Sequence, residues 1–257
     1  MRREGCAAAR PFFNMRLDHA TWYEVETYLT GARGIILPVG STEQHGPIGL
    51  IGTDAICAQI IAERAADQVG AYVAPTLAYT PAPFNMGFPG TMSLSAPLFQ
   101  AMAGEILAGL HRQGFTRIFL LNGHGANLDP LRAAMATLPD GAVRLRSWWD
   151  FEPVNVLRRT YYSDWEGMHA TPSEVAITQA EVRSVAHPDA DQAPRKLSAE
   201  YIAAHAGDKH GPPDQHRANF PDGRVGSHSA LARPEHGVHL LAAAAKAVAE
   251  DYTAFCL

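Results

Sequence analysis

The sequence predicts an α/β fold, a three-layer α/β/α sandwich in which helices cover both faces of a mostly parallel central sheet. Short apolar runs rich in branched residues alternate along the chain with longer amphipathic stretches of helical length, and this alternation is typical of parallel sheets covered on both faces. The 257 residues suit one large domain better than two small ones. A hydrophobic fraction of 47% is enough to form a substantial core.

The predicted elements alternate in order along the chain. Short apolar runs predict strands at residues 34–40, 71–75 and 118–121, and a further strand is predicted at 142–147. Apolar residues at helical spacing predict the helices, one from Asp18 or Thr21 to about Tyr28 and then 54–68, 96–113, 128–138, 197–205 and 237–252. Residues 183–229 are polar, with several Pro, His and Asp, and are expected to form a long excursion over the surface.

Residues 15–257 are expected to form this single domain. Residues 1–14 precede the first helical pattern, which starts directly after Met15, and are expected to be a poorly ordered extension. They begin basic but lack the apolar stretch of a signal peptide.

The composition argues against several partners and compartments. The formal net charge is −5 and Lys and Arg do not cluster in any segment, so no nucleic acid is expected as a partner. No apolar run approaches the roughly 20 residues needed to cross a bilayer, so no membrane is expected either. Cysteines are few and far apart, which favours a reducing, cytoplasmic location over a disulfide framework.

The motifs of several common enzyme classes are absent. The chain has neither Gly-x-Gly-x-x-Gly nor a phosphate loop ending in Gly-Lys-Ser/Thr, so a dinucleotide cofactor is not indicated. Gly-x-Ser-x-Gly is absent too, and Cys57 lies within an apolar helical run, where a cysteine is usually inert. An activated water is therefore the expected nucleophile.

Metal-capable side chains follow the first predicted strand. Glu43 and His45 stand two residues apart, and in an extended segment such residues point the same way. Asp54 follows at the start of a predicted helix. Such side chains on a glycine-broken loop above a strand end indicate a metal or acid–base site. The alternative is that Glu43 and His45 are solvated and that Asp54 only favours the helix dipole.

A second block follows the third predicted strand and reads Asn122-Gly123-His124-Gly125-Ala126-Asn127. Open α/β sheets bind ligands at the carboxyl ends of their strands, and glycines on both sides of His124 would let the backbone approach a metal or substrate closely. Asn122 and Gly125 are expected to contact the substrate. The alternative is a plain turn with a satisfied histidine.

A third block, residues 165–174, contains Trp165, His169 and Glu174. Its end, Thr171-Pro172-Ser173-Glu174, fits a capping box in which Glu174 reaches back to the N-cap residue. The residues alone therefore do not decide whether Glu174 caps the helix or binds a metal.

A long loop from Tyr79 to Ser95 is rich in Pro, Gly and aromatic residues, among them Phe88. Loops of this length in compact domains are often functional, so this loop is a candidate wall of a substrate pocket, with Phe88 at the substrate. The alternative is a plain surface loop.

Taken together, the three blocks resemble the creatininase (creatinine amidohydrolase) family in their order and spacing. The residues that carry the resemblance are Gly40–Pro47 with Gly52–Asp54, then Asn122–Asn127, then His169-Ala170 with Glu174. The likeness covers roughly residues 16–182 and 234–252. It implies a creatininase-like α/β/α fold, two divalent metal ions (usually zinc with manganese or iron) and hydrolysis of a C–N bond. A homo-oligomer, commonly a hexamer, is also implied.

The resemblance also implies roles for individual residues. Four fall on the family's metal ligands, and these are Glu43, His45, Asp54 in the bridging position, and His124. His169 falls beside the substrate, where we expect it to protonate the departing nitrogen, and Trp165 falls on a pocket-closing segment. Glu174 is expected either to complete the metal shell or to hold the proton of the water.

Two positions depart from the family's pattern. Ala126 stands where creatininase has a glutamate that binds metal, and Ile48 stands where a histidine is frequent. The first departure moves the missing carboxylate onto another residue, for which Glu174 is the nearest candidate, and argues against creatinine as the substrate. Other branches of the family act on a formamidopyrimidine intermediate of flavin and deazaflavin synthesis or on a small peptide.

The leading hypothesis is a metal-dependent amidohydrolase that uses a metal-activated water on a small cyclic amide or formamide-like substrate. A peptide-cleaving maturation enzyme of the same family is one alternative. A non-catalytic metal- or small-molecule-binding protein on the same fold is the alternative from a different class. The presence of five metal-capable residues argues against it, and these are Glu43, His45, Asp54, His124 and Glu174.

Overall fold

Four strands form one parallel sheet in the computed structural model, which describes residues 15–207 and 209–257. The strand order is β2-β1-β3-β4, with β1 at Gly34–Val39, β2 at Tyr72–Val73, β3 at Arg117–Asn122 and β4 at Val143–Ser147. β1 and β3 pair along their whole length, with Leu37 opposite Leu120. The predicted parallel sheet is therefore confirmed. The expectation for residues 1–14 concerns residues outside the described part of the chain.

Helices cover both faces of the sheet, because successive side chains of a strand point to opposite faces. Ile36 and Phe119 belong to one core, which is covered by α2 (Thr53–Val69), α6 (Pro172–Glu181) and α9 (Pro234–Cys256). Ile35 and Leu120 belong to the other core, which is covered by α1 (Trp22–Leu29), α3 (Ala96–Gln113) and α4 (Leu128–Met135). Burial on both faces explains the continuous apolar strands and confirms the predicted three-layer sandwich.

Most helices end within a few residues of their predicted positions. Thr21, not Asp18, caps α1, since its side chain accepts a hydrogen bond from the Glu24 N–H in a capping box. The sequence does not predict α5 (Glu152–Tyr162) or α8 (Pro213–Asn219). Both are polar and bury few residues. In α5, however, Val154, Leu157 and Tyr161 recur at helical spacing and pack against one core, so an apolar pattern is present there. None of the described helices is long and apolar enough to cross a membrane.

The polar segment 183–229 contains α7 (Ala199–Ala204) and α8, and its final part is buried rather than spread over the surface. Arg224 is 2% exposed. Its guanidinium donates hydrogen bonds to the Asp222 carboxylate and to the backbone carbonyls of Asp189, Ala190 and Gln192. Val225 then pairs with His169. The segment therefore returns alongside the third block of candidate site residues.

The carboxyl ends of β1 and β3 lie directly against the first turn of α2. A Cβ atom on Gly40 would be 2.3 Å from the Ala55 backbone nitrogen, and one on Gly123 would be 2.5 Å from the Asp54 carbonyl oxygen. Only glycine allows so close an approach of backbone to backbone. These two contacts place Asp54 between the two strand ends.

Candidate metal centre

Four of the residues predicted as metal ligands lie together at the carboxyl edge of the sheet. Glu43 and His45 follow β1, Asp54 lies in the first turn of α2, and His124 follows β3. All four are buried, and none is more than 3% exposed. Buried ionisable groups are usually paired with one another or bind a cation, so this grouping indicates a cation site.

Asp54 lies at the centre of the cluster and contacts both histidines. Its Oδ1 is 2.9 Å from His45 Nε2, and its Oδ2 is 3.1 Å from His124 Nδ1. Glu43 Oε1 is also 3.1 Å from His124 Nδ1. The ligand atoms of Glu43, Asp54 and His124 lie within 4.8 Å of one another, as do those of His45, Asp54 and Glu174. Two adjoining ligand groups therefore share Asp54.

The two histidines are held in the orientation that a metal ligand needs. His124 Nε2 donates to the Pro81 carbonyl at 2.8 Å, and His45 Nδ1 donates to the Glu43 carbonyl at 3.0 Å. A carbonyl oxygen can only accept, so these ring nitrogens carry the hydrogen. The lone pairs of His124 Nδ1 and His45 Nε2 can then point at the carboxylates, which is the usual arrangement of histidines around a metal.

Two carboxylate oxygens point into the cluster and have no hydrogen bond of good geometry, although each lies 3.1 Å from His124 Nδ1. They are Glu43 Oε1 and Asp54 Oδ2, both buried. Buried polar atoms normally have a partner, and a cation held by Glu43, Asp54 and His124 would supply it. Imidazole nitrogens with carboxylate oxygens suit Zn²⁺ and Mn²⁺. The residues present therefore fit the two divalent ions that the family resemblance implies.

The pKa values of these groups reflect their close contact. Burial lowers the pKa of His45, but the neighbouring charge of Asp54 outweighs burial and raises it to about 10. Burial raises the pKa of Asp54, but His45 and His124 outweigh burial and hold it below its usual range. Burial raises the pKa of Glu174 to about 8 against the opposing charge of His45. Protons and metal ions therefore compete for the same lone pairs.

Glu174 is part of the capping box of α6 and also faces the cluster. Its Oε1 accepts a hydrogen bond from the Thr171 N–H at 2.5 Å, and Thr171 Oγ1 accepts one from the Glu174 N–H at 3.3 Å. The same Oε1 is 3.7 Å from His45 Nε2. The cap and the ligand, which the sequence presents as alternatives, are therefore compatible.

His169 lies beside the ligand groups with one ring nitrogen fixed. Its Nε2 donates to the Gln44 carbonyl at 2.7 Å, so its Nδ1 is the nitrogen that faces the ligand groups. Nδ1 is 3.6 Å from Glu43 Oε1. His169 also falls within 4.8 Å of the ligand atoms of Glu43 and His45. The geometry is thus compatible with a proton donor and with a third imidazole ligand.

Two side-chain amides orient Glu43. Asn85 Nδ2 donates to Glu43 Oε2 at 3.0 Å, and Gln44 Nε2 donates to Asn85 Oδ1 at 2.8 Å and to the Gly223 carbonyl at 2.9 Å. These bonds leave Glu43 Oε1 to face His124. Asn85 comes from the long loop 79–95, in which Pro83–Gly87 form a 3-10 helix. The loop therefore contributes to the site, and it does so through Asn85.

A cavity of about 230 Å³ opens beside the ligand groups. It is lined by the ionisable residues Asp54, His124, His169 and Glu174 and by Gly125. Its wall also includes Leu128, Trp148, Trp149, Arg158, Met168 and Thr171. Of the four residues expected to contact the substrate, Gly125 is the one that lines this cavity.

The other three residues expected at the substrate have different surroundings. Asn122 donates from its amide to the His124 carbonyl at 2.8 Å and to Ser147 Oγ at 3.1 Å, so it fixes the strand ends. Trp165 lies against His228, with their ring centres 5.4 Å apart. The Arg217 guanidinium lies 5.1 Å from the Phe88 ring centre. Neither aromatic residue lines the cavity.

Sequence reasoning did not identify three lining residues, Trp148, Trp149 and Arg158. The two tryptophans directly follow β4, so the rule that ligands bind at strand ends could have indicated them. Arg158 lies on α5, a helix that the sequence does not predict, and no local motif marks it.

Comparisons with known proteins agree with this fold. Residues 18–252 match the family model for creatininase, creatinine amidohydrolase. The creatinine amidohydrolase of Pseudomonas putida is 29% identical over 180 residues, which are 62% of this chain and 69% of that protein. The mycofactocin precursor peptide peptidase of Mycolicibacterium smegmatis is 39% identical over 111 residues. That match spans 40% of this chain and 44% of the peptidase.

The fold also matches solved structures. A structure described as "Creatininase Mn" superimposes with a TM-score of 0.71 at 25% sequence identity, over 92% of this chain and 96% of that one. The family model extends over nearly the whole described domain. The chain therefore belongs to the creatininase family of hydrolases.

Proposed function

We propose that this protein is a metal-dependent amidohydrolase that cleaves a C–N bond of a small cyclic amide or formamide-like substrate. The observation that carries the proposal is the pair of ligand groups that share Asp54. Two divalent ions bound there would lower the pKa of a water between them and polarise the scissile carbonyl. A protein that only binds a small molecule has no need of two adjoining ligand groups.

The surrounding side chains have roles that suit this reaction. Asp54 holds the two ligand groups together, and Asn85 keeps Glu43 Oε1 turned toward His124. His169 would protonate the departing nitrogen through Nδ1, because its Nε2 is committed to the Gln44 carbonyl. Trp148 and Trp149 in the cavity wall would exclude water and give a planar amide an apolar surface to contact.

The size of the cavity supports a small substrate. Its volume of about 230 Å³ is below the roughly 300–1,000 Å³ typical of pockets for drug-sized ligands. A single lactam or hydantoin ring would fit such a space. Ala126 in place of the carboxylate of creatininase supports a substrate other than creatinine.

A second candidate function is the cleavage of a peptide bond near the end of a peptide. The likeness to the mycofactocin precursor peptide peptidase favours it. The metal chemistry would be the same, and the cavity would receive only the terminal residues. A screen of lactams, hydantoins, formamides and short peptides with the metal-loaded protein separates the two candidates.

Removal of the metal ions tests the proposed chemistry directly. Dialysis against a chelator is expected to abolish amide hydrolysis, and restoration of Zn²⁺ or Mn²⁺ should recover it, because the ions supply both the nucleophile and the polarisation of the carbonyl. The measurement is turnover of the best substrate against the number of ions per chain, which should reach two at full activity. Full turnover by the ion-free protein would contradict the proposal.

The Glu174→Gln variant tests whether Glu174 takes part in the reaction as well as in the helix cap. Glutamine keeps an oxygen that can accept from the Thr171 N–H, so the free energy of unfolding should change by less than about 1 kcal/mol. Turnover should fall at least about 10²-fold, because a carboxylate at the second ligand group is lost. Thermal unfolding and steady-state turnover are measured on the same preparations.

The matched control for Glu174→Gln is Glu24→Gln. Glu24 occupies the same position in the capping box of α1 that Glu174 occupies in that of α6, but it is exposed and lies outside the cavity wall. Its substitution should change stability by a similar small amount and leave turnover unchanged. Normal turnover by the Glu174→Gln variant would remove Glu174 from the site.

A further inference from the structure

We propose that Arg158 recognises a carboxylate on the substrate, so that the preferred substrates are amides with a carboxylate close to the scissile bond. The proposal deepens the amidohydrolase function and rests on it for the chemistry. The recognition itself rests on the surroundings of Arg158, which the sequence analysis and the reaction described above do not use.

Three contacts fix the guanidinium of Arg158 in the cavity wall. Its Nε donates to Glu166 Oε1 at 3.0 Å, and its Nη1 donates to Asn155 Oδ1 at 2.8 Å. Its Cζ atom lies 5.9 Å from the ring centre of Trp148, which also lines the cavity. A guanidinium held on two of its nitrogens is already ordered, so it loses little entropy when it binds a ligand.

Part of this guanidinium has no partner within the protein. Nη2 donates no hydrogen bond to any residue in 15–207 or 209–257, and one N–H of Nη1 is also uncommitted. The side chain is 20% exposed, so it is partly withdrawn from water but still accessible. The two nitrogens form the fork that binds a planar carboxylate through two parallel hydrogen bonds.

The charges around the cavity leave Arg158 available to an anion. Among the described residues that line the cavity, Arg158 is the one arginine or lysine. Two divalent ions would carry one positive charge more than the three carboxylates of the ligand groups, Glu43, Asp54 and Glu174, while Glu166 pairs with Arg158. The charge around the cavity would therefore favour an anionic substrate, and the uncommitted N–H groups of Arg158 would bind it.

Arg158 is also linked to the reacting end of the cavity. Glu166 Oε1 accepts a hydrogen bond from Arg158 Nε and another from Ser173 Oγ. Ser173 directly precedes Glu174 in the first turn of α6. A carboxylate bound by Arg158 would therefore lie close to the ligand group formed by His45, Asp54 and Glu174. This brings a bond next to the carboxylate to the metal centre.

The competing explanation is that Arg158 only pairs with Glu166. That role predicts a change in stability on substitution but no preference among ligands. The two explanations therefore predict different ratios between the affinity for an acid and the affinity for the corresponding neutral amide.

The test is equilibrium binding to the metal-loaded protein, measured by calorimetry with matched pairs of ligands. One pair is 5-oxoproline and 5-oxoprolinamide, and the other is alanylalanine and its C-terminal amide. The wild-type protein should bind the acid about 10- to 100-fold more tightly than the amide in at least one pair, as expected of a charge-assisted bidentate contact. The pair in which the acid binds more tightly shows whether Arg158 recognises a carboxylate on a small ring or one at a peptide terminus.

In the Arg158→Gln variant, the ratio of the affinity for the acid to the affinity for the amide is expected to be close to one. Arg158→Lys keeps a cation for Glu166 but loses the fork, so its ratio should fall at least about threefold, and it provides the test if the glutamine variant does not fold. The control is Arg159→Gln. Arg159 is the next residue of α5, pairs with Glu152 and is 60% exposed, so its substitution should leave the ratio unchanged.

A wild-type ratio near one in both pairs would overturn the inference, as would a ratio that survives Arg158→Gln. Because binding is measured without turnover, the outcome is separate from that of the proposed function. If the preference for the acid disappears in the Arg158→Gln variant but none of the screened amides is hydrolysed, the anion site stands and the proposed amidohydrolase function is contradicted. If neutral and acidic amides are hydrolysed equally well, the amidohydrolase function stands and the anion site is contradicted.

Discussion

Asp54→Asn is expected to remove both metal ions and to lower turnover at least about 10³-fold, since the ions supply several kcal/mol of transition-state stabilisation. Asp54 is shared by the group of Glu43, Asp54 and His124 and the group of His45, Asp54 and Glu174. Its Oδ1 is 2.9 Å from His45 Nε2, and its Oδ2 is 3.1 Å from His124 Nδ1. Asparagine keeps the size of the side chain but replaces one oxygen with an NH₂ group, which cannot bind a cation. Each group would then keep too few ligands.

The measurement is the number of ions per chain by elemental analysis, together with turnover. Asp129→Asn is the matched control, because Asp129 lies in the first turn of α4, as Asp54 does in α2, but is 72% exposed. Two ions should remain in the control. If Asp54→Asn retains two ions, Asp54 is not a shared ligand. If it loses one ion, Asp54 binds a single ion and the bridging role is wrong.

Much of the fold is predictable because the signals that define it are local. The two central strands, β1 and β3, are short apolar runs, and β1 is buried along its whole length. α5 is different, since its 11 residues bury only Val154 and Tyr162. It packs against α9 and the turn after β4, so its stability depends on residues that are distant in the chain. Its local pattern, with Val154, Leu157 and Tyr161 at helical spacing, is present but short and interrupted by polar residues.

In the candidate site, too, local sequence indicates some residues, and contacts between distant parts of the chain place the others. Glu43, His45 and His124 follow strands directly, so the position of the strand end indicates them before the structure is known. Asn85 reaches Glu43 from 42 residues away, and no spacing in the sequence predicts such a contact. Glu174 is an intermediate case. Its local pattern correctly predicts a capping box, but only the packing of α6 on the cluster brings the same oxygen to 3.7 Å from His45 Nε2.

His169→Gln is expected to lower turnover about 10²- to 10⁴-fold while both metal ions stay bound. The amide nitrogen of glutamine can occupy the place of His169 Nε2 and keep the hydrogen bond to the Gln44 carbonyl, which is 2.7 Å long in the wild type. What the variant lacks is the second ring nitrogen, Nδ1, on the side of Glu43. The loss should be smaller for anilides with electron-withdrawing groups, because their nitrogen leaves without a proton. His187→Gln, a substitution of an exposed histidine, should change neither turnover nor metal content.

Metal content decides between the two roles that the geometry of His169 allows. The ligand atoms of His169, Glu43 and His45 lie within 4.8 Å of one another, so Nδ1 could bind an ion instead of donating a proton. A proton donor can be removed without loss of an ion, whereas a ligand cannot. We therefore expect His169→Ala to bind two ions per chain, as the wild type does, and to show the same loss of turnover as His169→Gln. If either variant binds fewer ions and its turnover returns at higher metal concentration, His169 is a ligand and the departing nitrogen takes its proton from another group.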